Sequence, residues 1–268
     1  MKMYRREHLV YEGDVLFPWI PVCVVLTTEG SNRRQQYLRE LNAFKPCRKV
    51  IVQHNATFKR VHKPNVHSVD SDLLHALQRA IKRVKRHPFA LILEDDCRFR
   101  KNILDERARR DIFEHMSGGR CDLYSLGAGI LESSFEPPHI KMIKGCVTHA
   151  IIHTPTSMRY VSQMRFRNDN HPYDIRMMAA LDAYTYKRPL AIQAHPVTEN
   201  SKRFCPFVLR CVFRLTNAEK DGALFYELAH MLGRHGGYHR MCHFLVSFLA
   251  GAVIITIMTR GQKKSDAF

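Results

Sequence analysis

Short apolar runs alternate along this chain with segments whose apolar residues recur at helical spacing. Predicted strands cover 22–26, 49–53, 89–93, 122–126, 146–153 and 189–193. Helices are predicted between them, for example where Leu74, Leu77 and Ile81 share one face. This alternation predicts an α/β fold in which helices flank a parallel-rich sheet.

Two further segments carry weaker local signals. His-Pro-Tyr-Asp at 171–174 opens a predicted helix that continues through Tyr184. The glycines around residue 128 and the Pro137-Pro138 pair predict flexible loops between strands.

Three carboxylates directly follow the predicted central strand, in the segment Phe-Ala-Leu-Ile-Leu-Glu-Asp-Asp at 89–96. Ligands of open α/β sheets bind at the carboxyl ends of the strands. Adjacent carboxylates raise one another's pKa unless a cation or a basic group compensates them, and a divalent ion is the natural answer. Alternation along the strand lets Glu94 and Asp96 reach one Mn²⁺ or Mg²⁺ ion while Asp95 turns toward neighbours or a sugar hydroxyl. The competing interpretation is a solvated acidic loop.

The amino-acid composition indicates only broad classes of binding partner and cellular setting. Lys and Arg number 42 against 25 Asp and Glu, so the formal charge of +17 favours polyanions, anionic membrane surfaces or phosphorylated substrates. The eight cysteines include no Cys-x-x-Cys pair, which favours a reduced, intracellular setting over a disulfide scaffold.

The C-terminal region contains an uncharged apolar run from Phe244 to Met258. Extended to 241–260, it reaches about the lower limit of roughly 17–25 residues for a membrane span. We therefore predict a C-terminal single-pass anchor with a basic tail at 261–268 and the catalytic domain on the cytosolic side. The alternative is a buried terminal helix.

The order of the motifs resembles the lipopolysaccharide-type glycosyltransferases, the family that includes procollagen galactosyltransferases and bacterial LPS-synthesis enzymes. The matching stretches are the first strand with its Arg33-Arg34 helix, the segment 91–96, the strand at 145–152, the element 171–174 and the segment 189–201. The resemblance implies a GT-A-like, Rossmann-type catalytic domain at 21–205. An N-terminal extension would occupy 1–20, and a helical extension would occupy 206–240 before the apolar helix.

For chemistry, the resemblance implies transfer of a sugar from a nucleotide-sugar donor to a glycan or glycoprotein acceptor. Glu94-Asp95-Asp96 would be the Asp-x-Asp-like motif, with Glu94 and Asp96 as metal ligands. His195, just beyond the last predicted strand, would add a further ligand from a C-terminal loop.

The same resemblance implies roles for residues outside the acidic motif. Thr27, Glu29 and Arg33 follow the first strand, where such enzymes hold the donor, and Asp95 would join them. Asp174 would be the base that deprotonates the acceptor hydroxyl or would orient the acceptor, unless it is only a helix cap. The residues around 148–150 depart from the family's pattern, which leaves the acceptor open.

Two other functions compete with this one. A metal-dependent nuclease would also use acids and a basic surface, but the sequence contains no second acidic cluster and no recognised nucleic-acid module, so nucleic acid is not an expected partner. An inactive, membrane-attached scaffold with the same fold is the third possibility.

Overall fold

A nine-stranded mixed sheet organises the protein. The computed structural model describes residues 3–127, 129–146, 149–166 and 172–193. Its strands are β1 (Tyr4–Val10), β2 (Cys23–Thr28), β3 (Lys49–Asn55), β4 (Ala90–Glu94), β5 (Cys97–Phe99), β6 (Leu123–Ser125), β7 (Gly129–Glu136), β8 (His139–Cys146), β9 (Ala150–His153), β10 (Ala183–Tyr186) and β11 (Ala191–Gln193). The large sheet has the order β1-β3-β2-β4-β9-β6-β10-β8-β7, and β5 pairs with β11 separately.

Helices cover both faces of this sheet. They are α1 (Arg34–Phe44), α2 (Val69–Val84), α3 (Glu106–Ser117), α4 (Pro155–Gln163) and α5 (Tyr173–Ala180), with a 3₁₀ helix at Lys101–Leu104. The predicted α/β architecture, a Rossmann-type sheet flanked by helices, is confirmed.

Strand β4 shows why the central apolar run is unbroken. Leu91 and Leu93 pack into the layer that contains α1 and α3. Ala90 and Ile92 pack into the opposite layer with α2, α4 and α5. Since both faces of the strand are covered, alternate positions have no reason to be polar.

The strand directions are less uniform than predicted. β2 runs parallel to β3 and β4, and β10 runs parallel to β6. β9, however, lies antiparallel between β4 and β6, and β7 and β8 form an antiparallel hairpin next to β10. Consecutive parallel pairs therefore occur only among β3, β2 and β4, and the β6–β10 pair is an isolated parallel pair in the rest of the sheet.

Two local predictions were wrong for one reason, namely pairing between segments distant in sequence. The predicted strand 146–153 is divided between the ends of β8 and β9. The predicted helix through Tyr184 ends at Ala180, and Tyr184 lies in β10, where it pairs with β6 and β8. The proline pair, predicted as a loop between strands, forms the turn of the β7–β8 hairpin.

The structure describes most of the N-terminal region and none of the chain after residue 193. Within 1–20, the stretch set apart as an extension, β1 pairs with β3, and Phe17 and Ile20 are buried in the core. His195, the helical extension at 206–240 and the predicted anchor at 241–260 lie outside the described residues. Among the helices that are described, none is both long enough and apolar enough to cross a membrane.

His153 should make the fold sensitive to acid. It is 1% exposed in β9, and burial lowers its pKa to about 3. Below the ordinary histidine pKa of about 6.5, the unfolded chain takes up a proton that the folded chain refuses, so stability is lost as the pH falls. Between pH 7 and pH 5, we expect the wild type to lose about 2 kcal/mol more than His153→Gln in urea unfolding. His8→Gln, at an exposed position of β1, is the control. Equal losses in wild type and His153→Gln would contradict this expectation.

Candidate functional site

The acidic segment lies where two parallel strands end side by side. β4 ends at Glu94, which pairs in register with Leu26 of β2. The next residue of β2, Thr27, is buried beside the turn formed by Asp95 and Asp96. The carboxyl ends of β2 and β4 therefore bring the loop after β2 against the acidic motif.

Asp95 accepts hydrogen bonds from three side chains at the end of β2 and in the loop that follows it. Its Oδ2 accepts hydrogen bonds from Thr27 Oγ1 at 2.6 Å and Ser31 Oγ at 2.9 Å. Its Oδ1 accepts one from Arg33 Nη1 at 3.0 Å. Ser31 Oγ also accepts a hydrogen bond from the Arg33 main-chain N at 3.2 Å, so the loop is fixed from both sides. Asp95 thus turns toward its neighbours and fastens the loop to the end of β4.

Asp96 is more deeply buried and only half satisfied. Its Oδ2 accepts hydrogen bonds from Arg33 Nη1 at 3.3 Å and Gln193 Nε2 at 2.9 Å. Its Oδ1 is buried and has no hydrogen-bond partner among the described residues. Burial raises the pKa of Asp96 to about 6, and the adjacent Asp95 carboxylate adds to this, while Arg33 and Gln193 oppose it. A buried carboxylate oxygen of this kind is a natural place for a ligand.

Arg33 supplies a positive charge at the position for which the sequence suggested a cation. One guanidinium nitrogen, Nη1, contacts Asp95 and Asp96 together, and its side chain is 24% exposed. A basic group therefore compensates part of the charge of the acidic motif. No set of three or more His, Cys, Asp or Glu side chains within the described ranges is arranged to hold a metal ion.

Two residues at the site were missed from sequence. Ser31 follows Gly30, whose φ of +77° lets the chain turn after β2, and a serine one residue beyond such a turn is a weak signal for a loop-fixing hydroxyl. Gln193 ends β11 and pairs in register with Cys97, the residue that follows Asp96. Nothing local marks Gln193, because its role depends on the pairing of β11 with β5.

Gly127 makes the approach of β11 possible. A Cβ at this position would lie 1.9 Å from the Ala191 carbonyl oxygen. The neighbouring Leu126 carbonyl accepts hydrogen bonds from the main-chain N of Leu190 at 2.7 Å and of Ala191 at 3.0 Å. The glycine was interpreted as a flexible loop residue, but its role is close contact between two main-chain segments. That contact leads β11 to the acidic motif.

The remaining predicted residues occupy separate positions. Glu29 lies half-buried in the turn after β2, where its main-chain N donates to the Asn55 carbonyl at 2.9 Å. Asp174 lies in the first turn of α5, and its Oδ1 accepts a hydrogen bond from the Ile175 N at 2.8 Å. That contact is the one expected of a residue that stabilises a helix start, and the role of Asp174 as a base stays a prediction.

Comparison with known proteins gives only distant likenesses. No family model and no curated protein matches the chain. A197 from STIV aligns with 62% of this chain and 81% of its own length, at 9% identity and a TM-score of 0.38. UDP-glucose pyrophosphorylase complexed with UDP-glucose aligns with 62% of this chain and 72% of its own, at 10% identity and a TM-score of 0.37. A glycosyltransferase involved in the glycosylation of the major capsid of PBCV-1 aligns with 53% and 63%, at 10% identity and a TM-score of 0.29. The last two are a nucleotidyltransferase and a glycosyltransferase, but likeness at this level does not determine activity.

Removing the Asp95 carboxylate should destabilise the protein. Asp95→Ala leaves the Thr27 and Ser31 hydroxyls and the Arg33 guanidinium without their acceptor, and we expect a loss of about 2–4 kcal/mol in urea unfolding at pH 7. Asp95→Asn should lose less, since its amide oxygen still accepts. Asp14→Ala, at an exposed position, is the control and should change stability by about 0.5 kcal/mol or less. A loss as small as that of the control would show that the network contributes little.

Gly127→Ala should be damaging for a steric reason. The added methyl group would overlap the Ala191 main chain, which cannot move without displacing β11, so we expect a loss of about 3 kcal/mol or more in thermal or urea unfolding. The matched control is Gly30→Ala, which has a positive φ but no atom within 4 Å of its Cβ position and should lose only about 1 kcal/mol. A smaller loss at Gly127 than at Gly30 would contradict the close contact.

Proposed function

We propose that this protein is a metal-dependent glycosyltransferase, which moves a sugar from a nucleotide-sugar donor to a hydroxyl of a glycan or glycoprotein. One observation carries the proposal. At the carboxyl end of the central strand, beside Glu94, the buried Asp96 has one oxygen that no described residue satisfies. Such a group is expensive to bury without a partner, and a ligand at the sheet edge would supply one.

The donor atoms at this edge fit a hard divalent cation. Carboxylate oxygens are the ligands that Mg²⁺ and Mn²⁺ prefer, and these ions commonly fill their other positions with water and phosphate oxygens. Glu94 and Asp96 would hold the ion, and we propose His195 as a further ligand from beyond the described part of the chain. When bound, the ion would neutralise charge on the departing nucleoside diphosphate.

Arg33 would contribute a second contact to the donor. A guanidinium group has five N–H donors, and the recorded contacts of the Arg33 side chain use only Nη1. Its other donors would bind the donor diphosphate, because arginine suits charged phosphate oxygens geometrically. Thr27 and Ser31 hold Asp95, and Asp95 in turn holds Arg33, so the phosphate-binding group would be preorganised.

The nucleoside and the acceptor would lie on either side of this centre. Glu29 is placed in the turn after β2 on the side that we assign to the nucleoside. We propose Asp174 as the group that accepts the proton of the attacking hydroxyl or orients the acceptor. Deprotonation of that hydroxyl would make the oxygen a better nucleophile toward the anomeric carbon.

A second candidate is an inactive protein that retains the fold. The specific observation in its favour is that Arg33 already contacts both Asp95 and Asp96. With part of the carboxylate charge compensated by the protein itself, the acidic motif can serve a structural purpose without a metal ion.

Calorimetric titration of the full chain with UDP, GDP, CDP and TDP, each with and without Mn²⁺, separates these candidates. For a glycosyltransferase, we expect one nucleotide to bind at least about tenfold more tightly with Mn²⁺, a difference of about 1.4 kcal/mol. Asp96→Asn, which keeps the shape of the side chain, should abolish the gain from Mn²⁺. Arg33→Lys should weaken binding both with and without the ion, because a single ammonium replaces the fork.

The controls decide how this experiment is interpreted. Asp14→Asn removes one carboxylate at an exposed position and should bind as the wild type does. Binding that is indifferent to Mn²⁺ and to Asp96→Asn would refute the metal site. Failure of all four nucleotides to bind the folded chain would favour the inactive candidate.

A further inference from the structure

A polar cavity lies away from the acidic motif. It has a volume of about 380 Å³ and is lined by His115, Arg120, Pro137, His139, Lys141, Asp182 and Tyr184. Arg120 precedes β6 and Asp182 precedes β10, and these two strands run parallel. The cavity therefore extends to the amino ends of strands whose carboxyl ends point to the edge that carries Asp96.

The side chains that line this cavity include two cations and one carboxylate. Lys141 Nζ lies 2.6 Å from Asp182 Oδ1, and both groups are substantially exposed. Arg120 is exposed and has no recorded hydrogen bond or ion pair with the described residues. Asp182 is the single carboxylate of the lining, so the lining itself has two cations and one anion while its two histidines are neutral. Two further carboxylates lie behind it, since Asp122 Oδ2 accepts a hydrogen bond from the Asp182 main-chain N at 3.1 Å and Asp111 acts on His139.

The two histidines are stacked and buried. The ring centroids of His115 and His139 lie 4.1 Å apart, with 32° between the planes. Tyr124 OH lies 2.8 Å from His139 Nδ1, which leaves Nε2 as the ring nitrogen open to a ligand. Two protonated imidazoles at this distance would repel each other strongly unless an anion lay beside them.

The charged groups around His139 also favour a bound anion. Burial, together with the neighbouring His115 and Arg120, lowers the pKa of His139 to about 4, while Asp111 opposes the shift. The Tyr186 ring also lies near His139, at a centroid distance of 6.0 Å, and its OH donates to Asp111 Oδ2 at 2.9 Å. An anion in the cavity would offset the repulsion from His115 and Arg120 and allow His139 to take up a proton.

We propose that this cavity binds a phosphate monoester of about monosaccharide size, with Arg120, Lys141 and His139 contacting the phosphate group. The volume falls within the range of about 300–1,000 Å³ typical of small-molecule sites. Tyr184 is 5% exposed, and Lys141 Nζ lies 5.9 Å from the centroid of its ring, so the ammonium group is held at the cavity. The hydroxyls of a monosaccharide can hydrogen-bond to the polar side chains of the lining while its phosphate contacts the cations. This inference does not depend on the proposed transferase function.

The test is histidine-ring NMR on the full chain, with inorganic phosphate and glucose 1-phosphate as probes. Because the chain carries a net charge of +17, phosphate will also contact other surfaces, so the readout must come from His139 itself. We expect saturating glucose 1-phosphate to raise the pKa of His139 by about one to three pH units, as an opposite charge within a few ångströms does. Inorganic phosphate should act similarly but bind at least tenfold more weakly.

Two matched variants localise the effect. Arg120→Gln should weaken glucose 1-phosphate binding at least tenfold, whereas Arg110→Gln, at an exposed position of α3 outside the lining, should leave it unchanged. Arg120 is exposed, and the amide spectrum of its variant shows whether the fold is retained; Lys141→Gln provides an independent second substitution. An unshifted His139 titration, or a shift that neither lining variant reduces, would overturn the proposal. Equal affinities for the two probes would overturn the assignment of a sugar phosphate.

Discussion

The contact of Arg33 Nη1 with Asp95 and Asp96 is the interaction on which the candidate site depends. Two adjacent carboxylates at the end of a buried strand repel each other, and burial makes each charge more costly. Arg33, which lies between β2 and α1 directly before the helix, reduces that cost. The arrangement holds only if the carboxyl ends of β2 and β4 lie next to each other, because Thr27 in β2 and Ser31 in the loop after it must both reach Asp95.

The other half of the site depends on a contact far from any charge. Gly127 allows the main chain around Ala191 to pass close to the end of β6, and β11 then pairs with β5. Gln193 reaches Asp96 as a result of this path. The polar geometry at β4 is therefore set by a packing constraint between two main-chain segments, which explains how a site with few local signals can still be well defined.

Sequence reasoning found the parts of this structure whose signals are local. The buried strand β4 and its acidic end were predictable because an unbroken apolar run stops at three carboxylates. Thr27 and Arg33 were singled out because the resemblance implies donor-binding roles for residues after the first strand. Ser31 and Gln193 were not found, since they contact acids that lie 64 and 97 residues away along the chain. The first half of β10, up to Tyr184, was predicted as helix for the same reason: its strand conformation comes from β6 and β8, which no window of sequence around Tyr184 contains.

Strand β1 has a consequence for the solution behaviour of the molecule. It forms one border of the sheet, and its residues Arg5, Arg6 and Glu7 place charges along that border. The neighbouring strand in the sheet, β3, has the sequence Lys-Val-Ile-Val-Gln-His-Asn. If β3 were the border strand, its β-branched residues would favour pairing with a strand from another molecule. The charged side chains of β1 thus make this border of the sheet less suited to pairing with a strand of another molecule than β3 would be.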